Sequence, residues 1–168
     1  MHNNNAPHHL TDQVKLLQKV AIVHNGRVLL LKRSADSKSR PEKWDLPGGN
    51  SEWPKTTESG DGQFAQDAVR EVQEETTIVL NPDLFTESAL MYLNTYFDAP
   101  RQIYSIIFGW CVSINSQNQP QVVISDEHSE HVWVTLDEIE KYDFDATGEF
   151  VLLTARRGLT HTLAHKEL

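Results

Sequence analysis

The sequence predicts an α+β fold with a mixed β-sheet, and three observations lead to this prediction. Strand-like and helical segments follow one another in the order strands, helix, strands, helix, which differs from the regular alternation of a parallel βαβ fold. The length of 168 residues corresponds to one domain. With 39% hydrophobic and 23% charged residues, the composition is that of an ordinary globular protein with an adequate core.

The beginning of the chain is polar. Residues 1–13 carry few apolar side chains, so we expect a loose tail before a single domain that spans residues 14–168. The start lacks the apolar core of a secretory signal, and no later stretch approaches the ~20 apolar residues that cross a bilayer. The lone Cys111 cannot form an intramolecular disulfide. These features predict a cytoplasmic protein that does not contact membranes.

A β-hairpin is the first ordered feature, over residues 20–34. Two aliphatic, β-branched runs flank Asn25-Gly26, the dipeptide best suited to a type I′ turn. A polar loop over residues 34–43 leads into Trp44-Asp45-Leu46-Pro47-Gly48-Gly49. We expect a short strand there that ends abruptly, because proline and two glycines allow backbone angles and close approaches that other residues forbid.

A helix is predicted over residues 63–76, with Asp61 as its N-cap. Its apolar stripe contains Ala65, Ala68, Val69 and Val72. The segments that follow predict further strands at residues 84–97, 102–115, 121–124 and 131–134. Thr135-Leu136-Asp137-Glu138 has the spacing of a capping box that begins a helix. A last helix is predicted over residues 146–157, and Gly158 interrupts it.

The net charge of −9 is unevenly distributed. Residues 50–76 contain seven acidic and only two basic side chains, so most of the negative charge is local. The chain lacks the basic surface that binds nucleic-acid backbones, and we therefore exclude duplex binding.

Three carboxylates share one face of the predicted helix. At ~100° per residue, Glu74 and Glu75 lie within about 60° of Glu71 on either side. Like charges at this spacing repel, and coordination of a hard divalent cation removes that cost. The pattern predicts a magnesium or manganese site; the alternative is an ordinary solvated helix face.

The combination of a hairpin, W-x-L-P-G-G and a helix bearing R-E-x-x-E-E resembles the Nudix hydrolase family, whose box reads G-x5-E-x7-R-E-U-x-E-E-x-G-U with U aliphatic. Gly49 opens the box, and residues 70–75 match its core. The resemblance spans about residues 17–157. It implies an α/β/α sandwich with a mixed sheet. It also implies hydrolysis of the pyrophosphate linkage of a nucleoside diphosphate derivative, a small nucleotide substrate, with Mg²⁺ or Mn²⁺ as cofactor.

The box departs from the family pattern between its glycine and its helix. Gly49 and Arg70 lie 21 positions apart, where the family has 14, so we expect seven inserted residues within residues 53–62. No acid occupies the position of the first box glutamate in either register; Glu52, Glu58 or Asp61 could replace it. Thr77 stands where the family has glycine. Threonine adopts the left-handed conformation that ends many helices less readily than glycine does.

The resemblance implies roles for individual residues. Glu71, Glu75 and Glu74 would bind the metal together with the carbonyl oxygen of Gly49, and Arg70 would orient the glutamates. The general base would come from the box, where Glu71 and Glu74 are candidates, or from a later loop. The loop at residues 125–130 supplies Glu127 and Glu130 as candidates for the base or an additional ligand; the alternative is an exposed acidic turn.

Substrate contacts are predicted at four further residues. Arg33, at the end of the second hairpin strand, corresponds to a phosphate-binding arginine of the family, unless it is an ordinary strand-end charge. Trp44, Tyr92 and Tyr96 are candidates for stacking on a nucleobase, unless they belong to the core.

Two other functions remain open from the sequence. The missing box glutamate is compatible with a Nudix-fold module that binds nucleotides without cleaving them. An isoprenyl diphosphate isomerase shares the fold but needs a cysteine in its site, and Cys111 falls in a predicted strand interior. The sequence leaves the oligomeric state open, a homodimer included.

Overall fold

A computed structural model describes residues 13–52 and 62–164. It contains a mixed sheet, one helix on each face and four short 3₁₀ turns. The strands are β1 (Gln13–His24), β2 (Arg27–Arg33), β3 (Trp44–Asp45), β4 (Leu90–Asp98), β5 (Ile103–Ser113) and β6 (His128–Val134); the helices are α1 (Gln63–Thr76) and α2 (Glu149–Ala164); the 3₁₀ turns are Pro82–Leu84, Glu87–Ala89, Ile139–Lys141 and Ala146–Gly148.

The sheet has the strand order β3-β2-β1-β5-β4, with β6 on the other edge of β2. Among the six described strands, only the β1–β5 pair is parallel; the other pairs are antiparallel. The predicted hairpin is confirmed, because Asn25 and Gly26 both have the positive φ of a type I′ turn (48° and 75°). Strand β1 begins at Gln13, the first residue that the structure describes.

Alternation along β1 separates two cores. Val20 and Ile22 face α1, whereas Ala21 and Val23 face α2, as expected for a strand that is covered on both sides. The predicted α+β class with a mixed sheet is therefore confirmed, and the layers are those of an α/β/α sandwich. Among the described residues, no helix is long and apolar enough to cross a membrane.

Helix α1 has the predicted bounds, but both of its ends differ from expectation. Gly62 occupies the N-cap position that we assigned to Asp61, and Asp61 lies outside the described residues. At the other end, Thr77 adopts the left-handed conformation (φ 61°) and donates its N–H to the Gln73 carbonyl at 2.9 Å. The helix thus ends as the family glycine would end it, with a strain of about 1–2 kcal/mol for a residue that carries a Cβ.

The strand predicted at residues 121–124 is wrong. The segment runs past the C-terminal end of α1, where Val123 N–H donates to the Thr76 carbonyl at 3.1 Å and Ser125 N–H to the Glu75 carbonyl at 3.2 Å. These bonds satisfy carbonyls that a helix end leaves without partners. The aliphatic pattern reflects packing against the α1 core, not sheet pairing.

Two predictions about the C-terminal part are also corrected. The capping box forms, since Glu138 accepts hydrogen bonds from the N–H and hydroxyl of Thr135. The predicted helix does not follow; a 3₁₀ turn forms instead, because the chain becomes extended at Tyr142. The last helix continues through Gly158. A Cβ there would lie 3.0 Å from the Cys111 Sγ, so the glycine permits close contact between α2 and β5.

The region between α1 and the later strands also differs in its bounds. The strand predicted to start at residue 84 begins at Leu90, because two 3₁₀ turns precede it. Asn81 caps the first turn by accepting the Asp83 N–H, and Pro82 fixes its start. Local capping chemistry therefore overrides the apolar pattern of this segment.

Candidate active site

A glycine turn lies against strand β1. Gln18 N–H donates to the Gly49 carbonyl at 2.9 Å, and Val20 N–H donates to the Pro47 carbonyl at 2.8 Å. Gly48 has a φ of +124°, and a Cβ there would overlap the Gln18 carbonyl oxygen. The sequence Pro-Gly-Gly is therefore required by how closely this turn passes the neighbouring strand.

Helix α1 presents two carboxylates to this turn. The Glu75 carboxylate is buried and accepts the Gly48 N–H at 2.8 Å. Gly49 lies so close to the Glu71 carboxylate that an added Cβ would be 2.6 Å from its Cδ. Burial raises the pKa of Glu75 to about 7, against the opposing effects of Lys19 and the Gly48 N–H. Burial also raises the pKa of Glu71, although Arg70 acts in the opposite direction.

Arg70 joins three acidic side chains of the helix. Its guanidinium contacts Glu71 at 2.7 Å and Glu74 at 2.9 Å, and its Nε lies 3.9 Å from the buried Asp67. Asp67 also accepts the Glu52 N–H at 3.1 Å, which ties the helix to the chain after the glycine turn. Glu52 thus contributes its backbone to this network. Glu58 lies outside the described residues, as does most of the predicted insertion.

A cleft of about 940 Å³ opens beside the glycine turn. It is bordered by strands β1, β4 and β5, the loop before β3 and the start of α2. The structure brings seven of the predicted site residues to its lining: Arg33, Gly49, Glu71, Glu75, Tyr92, Tyr96 and Glu127.

The other predicted residues lie outside this lining. Glu74 is exposed and paired with Arg70. Glu130 is exposed and bonded to Lys32 at 2.8 Å. The Trp44 ring packs edge-to-face on Tyr142, with a centroid distance of 5.0 Å, and belongs to the core on the α2 side. Trp44 thus belongs to the core, which is the alternative given above for the aromatic residues. Arg70 contacts Glu71 and does not line the cleft.

Sequence reasoning missed a buried ionic cluster in the same cleft. The fully buried carboxylate of Asp45 contacts Lys19 at 3.1 Å, Arg33 at 3.3 Å and Arg40 at 2.5 Å. Lys19 is itself buried and also donates to the Gly48 carbonyl at 2.6 Å. Lys19, directly before the apolar run Val20–Val23, was the signal that could have revealed the cluster, because a buried ammonium needs a carboxylate partner.

The residues of the cleft fit a divalent cation. Glu71 and Glu75 both have raised pKa values, and a nearby positive charge would stabilise their ionised forms. The Gly49 carbonyl offers a further oxygen, since its bond with Gln18 uses one of two lone pairs. In residues 13–52 and 62–164, no three His, Cys, Asp or Glu side chains form a ready metal cage. Mg²⁺ is commonly held by one or two carboxylates, with water and phosphate oxygens completing its shell.

His128 is buried near the charged side chains of Lys19, Asp45 and Arg33. Burial lowers its pKa to about 4, and Lys19 acts in the same direction. Within the described part of the chain its Nε2 has no hydrogen-bond partner. The ring is therefore neutral in the folded state, whereas an unfolded histidine gains a proton below about pH 6.5.

We expect His128 to reduce stability as the pH falls from about 6.5 towards 4. The unfolded state then binds a proton that the folded state excludes, so the free energy of unfolding should fall by about 2 kcal/mol between pH 7 and pH 5 from this residue. Urea unfolding of the unmodified chain and of His128→Phe at both pH values measures this difference. The exposed His131→Phe is the matched control and should keep the full pH dependence. Equal pH dependence in all three proteins would contradict the assignment.

Comparison with known proteins identifies relatives of the chain. The family model for the NUDIX domain matches residues 18–157. Similar solved structures include a MutT NUDIX hydrolase from Burkholderia pseudomallei (26% identity, TM-score 0.57, covering 84% of this chain and 97% of that one). A MutT protein from Methanosarcina mazei Go1 has 23% identity and a TM-score of 0.58, covering 92% and 96% of the two chains.

A third similar structure is a bifunctional NMN adenylyltransferase/ADP ribose pyrophosphatase from Francisella tularensis, in complex with AMP and a Mn ion. It has 18% identity and a TM-score of 0.51, and the match covers 90% of this chain and 41% of that one. A search of curated proteins gave no match.

Proposed function

Because the chain belongs to the Nudix family of pyrophosphohydrolases, we propose that it cleaves the pyrophosphate linkage of a nucleoside diphosphate derivative with the help of a divalent metal ion. The observation that carries the proposal is the pair of carboxylates, Glu71 and Glu75, that borders the glycine turn inside the cleft. The manganese ion in the similar Francisella structure supports the choice of metal.

Glu71, Glu75 and the Gly49 carbonyl are the groups that would hold the metal. The ion would offset the repulsion between the substrate phosphates and the carboxylates and would polarise the phosphorus that water attacks. Glu74 was expected to be a third ligand. Its contact with Arg70 outside the cleft supports a weaker contribution than that of Glu75.

Arg70 is proposed as a positioning residue. Its guanidinium holds the Glu71 carboxylate at 2.7 Å, so it limits the rotamers of a side chain that must face the metal. Asp67 is the buried acid beside Arg70 and takes the place of the missing box glutamate in this proposal. In this proposal, the insertion that the sequence predicts before α1 does not change the orientation of Glu71.

Glu127 is the favoured general base. It lines the cleft, and its backbone carbonyl accepts the Ser34 N–H at 2.9 Å, which holds the loop against the end of β2. Glu130 is the weaker candidate, because its carboxylate is bonded to Lys32 and lies outside the cleft lining. A base must reach the attacking water directly or through one further water.

Tyr92 and Tyr96 are the proposed contacts for the nucleobase. Both line the cleft from β4, and the Tyr92 ring lies near Phe150 and beneath the guanidinium of Arg157, 5.7 Å from its centroid. Tyr96 is 60% exposed, so its ring is available for stacking.

A binding module without catalysis is the second candidate. It is favoured by the lack, among the described residues, of three acids that together form a metal cage. The isomerase is not supported, because Cys111 lies in β5 with its sulfur 3.7 Å from the Thr162 hydroxyl of α2, and it does not line the cleft.

A substrate panel tests the proposal. We expect release of a nucleoside monophosphate from at least one of four classes, namely nucleoside triphosphates, nucleotide sugars, ADP-ribose and dinucleoside polyphosphates. Release should require Mg²⁺ or Mn²⁺ and stop when EDTA removes the ion. Anion-exchange chromatography of the products measures it. Tight nucleotide binding by calorimetry without any product would instead establish the binding module.

A further inference from the structure

Four successive carbonyl groups of the glycine turn accept hydrogen bonds from three neighbouring residues of β1. The Lys19 ammonium donates to the first and third of them, at 3.0 and 2.6 Å. The backbone N–H groups of the residues before and after Lys19 donate to the fourth and the second. The four carbonyls, in chain order, belong to Leu46, Pro47, Gly48 and Gly49. One buried side chain therefore supplies half of the bonds that hold this turn against the sheet.

The donors of the Lys19 ammonium are fully used. Two of its three N–H groups go to the turn, and the third goes to the Asp45 carboxylate at 3.1 Å. The side chain is 4% exposed. Among the described residues, this ammonium has no further donor for a substrate, although it lies at the wall of the cleft. Any effect of Lys19 on the reaction therefore acts through the groups that it holds.

The need to neutralise Asp45 does not account for Lys19. Two arginines contact the same oxygen of that carboxylate, and a buried ammonium gives up its hydration. Glu71 and Glu75 also face Lys19, and its positive charge lowers the pKa of each. The charge of Lys19 and its hydrogen bonds to the turn are therefore two contributions that an experiment must separate.

The peptide group between Gly48 and Gly49 is where the hydrogen bonds matter. Glycine restricts backbone rotation less than any other residue, so a peptide group with glycine on both sides rotates easily. Lys19 holds the carbonyl of this group. Just before it, the Gly48 N–H donates to Glu75 at 2.8 Å; just after it, Gly49 lies against the Glu71 carboxylate. Rotation of the peptide group would disturb both contacts and the direction of the Gly49 carbonyl.

We propose that Lys19 is a positioning residue of the candidate metal site, and that its ammonium fixes the peptide group between Gly48 and Gly49 so that the Gly49 carbonyl stays beside Glu71 and Glu75. This inference rests on the proposed function, which assigns those three groups to the metal. Lys19 itself contacts neither the metal nor the substrate.

Hydrogen exchange of individual amides tests the fixed turn without metal or substrate. In the full chain labelled with ¹⁵N, the Gly48 N–H should exchange slowly, because it is bonded to a buried carboxylate. In Lys19→Met we expect it to exchange at least about 10-fold faster, after correction for any change shared with the Val112 amide in the buried part of β5. A general loss of stability would accelerate both amides alike.

Binding of Mn²⁺ to the full chain, followed by electron paramagnetic resonance of the free ion, tests the link to the site. Lys19→Met should weaken binding by about 10-fold or more, as expected when a group that orients metal ligands is lost. Removal of a positive charge alone would strengthen binding of a cation, so the direction of the change separates position from charge. Lys43→Met is the matched control, because Lys43 also pairs with an aspartate, Asp143, but lies outside the cleft. Its affinity should not change.

Lys19→Arg replaces Lys19→Met if the latter does not fold. It keeps the positive charge, but a planar guanidinium does not direct its N–H groups to the same three acceptors. We expect Mn²⁺ to bind about 3- to 10-fold more weakly and the Gly48 N–H to exchange faster. Unchanged exchange at Gly48, or Mn²⁺ affinity that is unchanged or higher in the Lys19 variants, would overturn the proposal. Faster exchange at Gly48 in a chain that neither binds Mn²⁺ nor cleaves the substrate panel would remove only the proposed function.

Discussion

We expect Glu75→Gln to lower the turnover of the cleaved substrate by about 10²-fold or more, since it removes a negative charge from the proposed metal site. Glutamine keeps the size of the side chain, and its carbonyl oxygen can still accept the Gly48 N–H. The substitution therefore changes the charge and leaves the contact with the glycine turn in place. Initial rates across a range of Mg²⁺ concentrations measure the effect, which should include a higher metal requirement.

The fold should not lose stability in this variant. Burial raises the pKa of Glu75 to about 7, so ionisation of this group is unfavourable in the folded chain, and a neutral amide removes that cost. We expect the midpoint of thermal unfolding without metal to stay the same or rise. Lower activity together with unchanged stability distinguishes loss of a ligand from loss of structure.

Glu74→Gln and Glu140→Gln provide the comparison. Glu74 lies on the same helix but is 58% exposed and bonded to Arg70. The fold decrease in turnover of Glu74→Gln should therefore be at least about tenfold smaller than that of Glu75→Gln. Glu140 pairs with Arg156 outside the cleft and controls for the charge change alone. Full activity of Glu75→Gln, or equal losses at Glu74 and Glu75, would contradict the proposed ligand set.

The sequence predicted those parts of the fold that local chemistry determines. Asn25-Gly26 identified the hairpin because few other dipeptides adopt two positive φ angles. The apolar spacing of α1 gave its exact bounds because one face of that helix is buried along its length. Prediction failed where contacts between distant segments determine the local secondary structure. Residues 121–124 have a strand pattern, but their backbone bonds to the end of α1.

The candidate site was predictable only to the extent that its residues are close in sequence. The glycine turn and α1 belong to one motif, so their meeting could be inferred from it. The cluster around Asp45 combines β1, β2, β3 and the loop before β3, and no spacing rule links Lys19 to Arg40. Glu74 and Glu75 are adjacent in sequence, yet only Glu75 is buried, because the glycine turn covers one side of the helix.

We expect Gly48→Ala to lower the stability of the fold and Gly49→Ala to lower the catalytic rate. At Gly48 an added Cβ meets backbone, with the carbon of the Gln18 carbonyl at 3.1 Å and the Cα of Lys19 at 3.2 Å, and φ is +124°. Backbone cannot move without breaking the pairing with β1, so we expect a loss of about 3 kcal/mol or more in the free energy of unfolding. Urea unfolding measures it.

At Gly49 the added Cβ meets only the end of the flexible Glu71 side chain, so the fold should remain close to its original stability. The carboxylate must move, and displacement of a catalytic group by about 1 Å can cost about 10²-fold in rate. Gly62→Ala is the control for backbone conformation alone, because its φ is +77° and a Cβ there contacts nothing within 4 Å. It should cost about 1 kcal/mol in stability. Full activity of Gly49→Ala would mean that the position of Glu71 does not matter for catalysis. If Gly48→Ala is no less stable than Gly62→Ala, the turn can move away from β1.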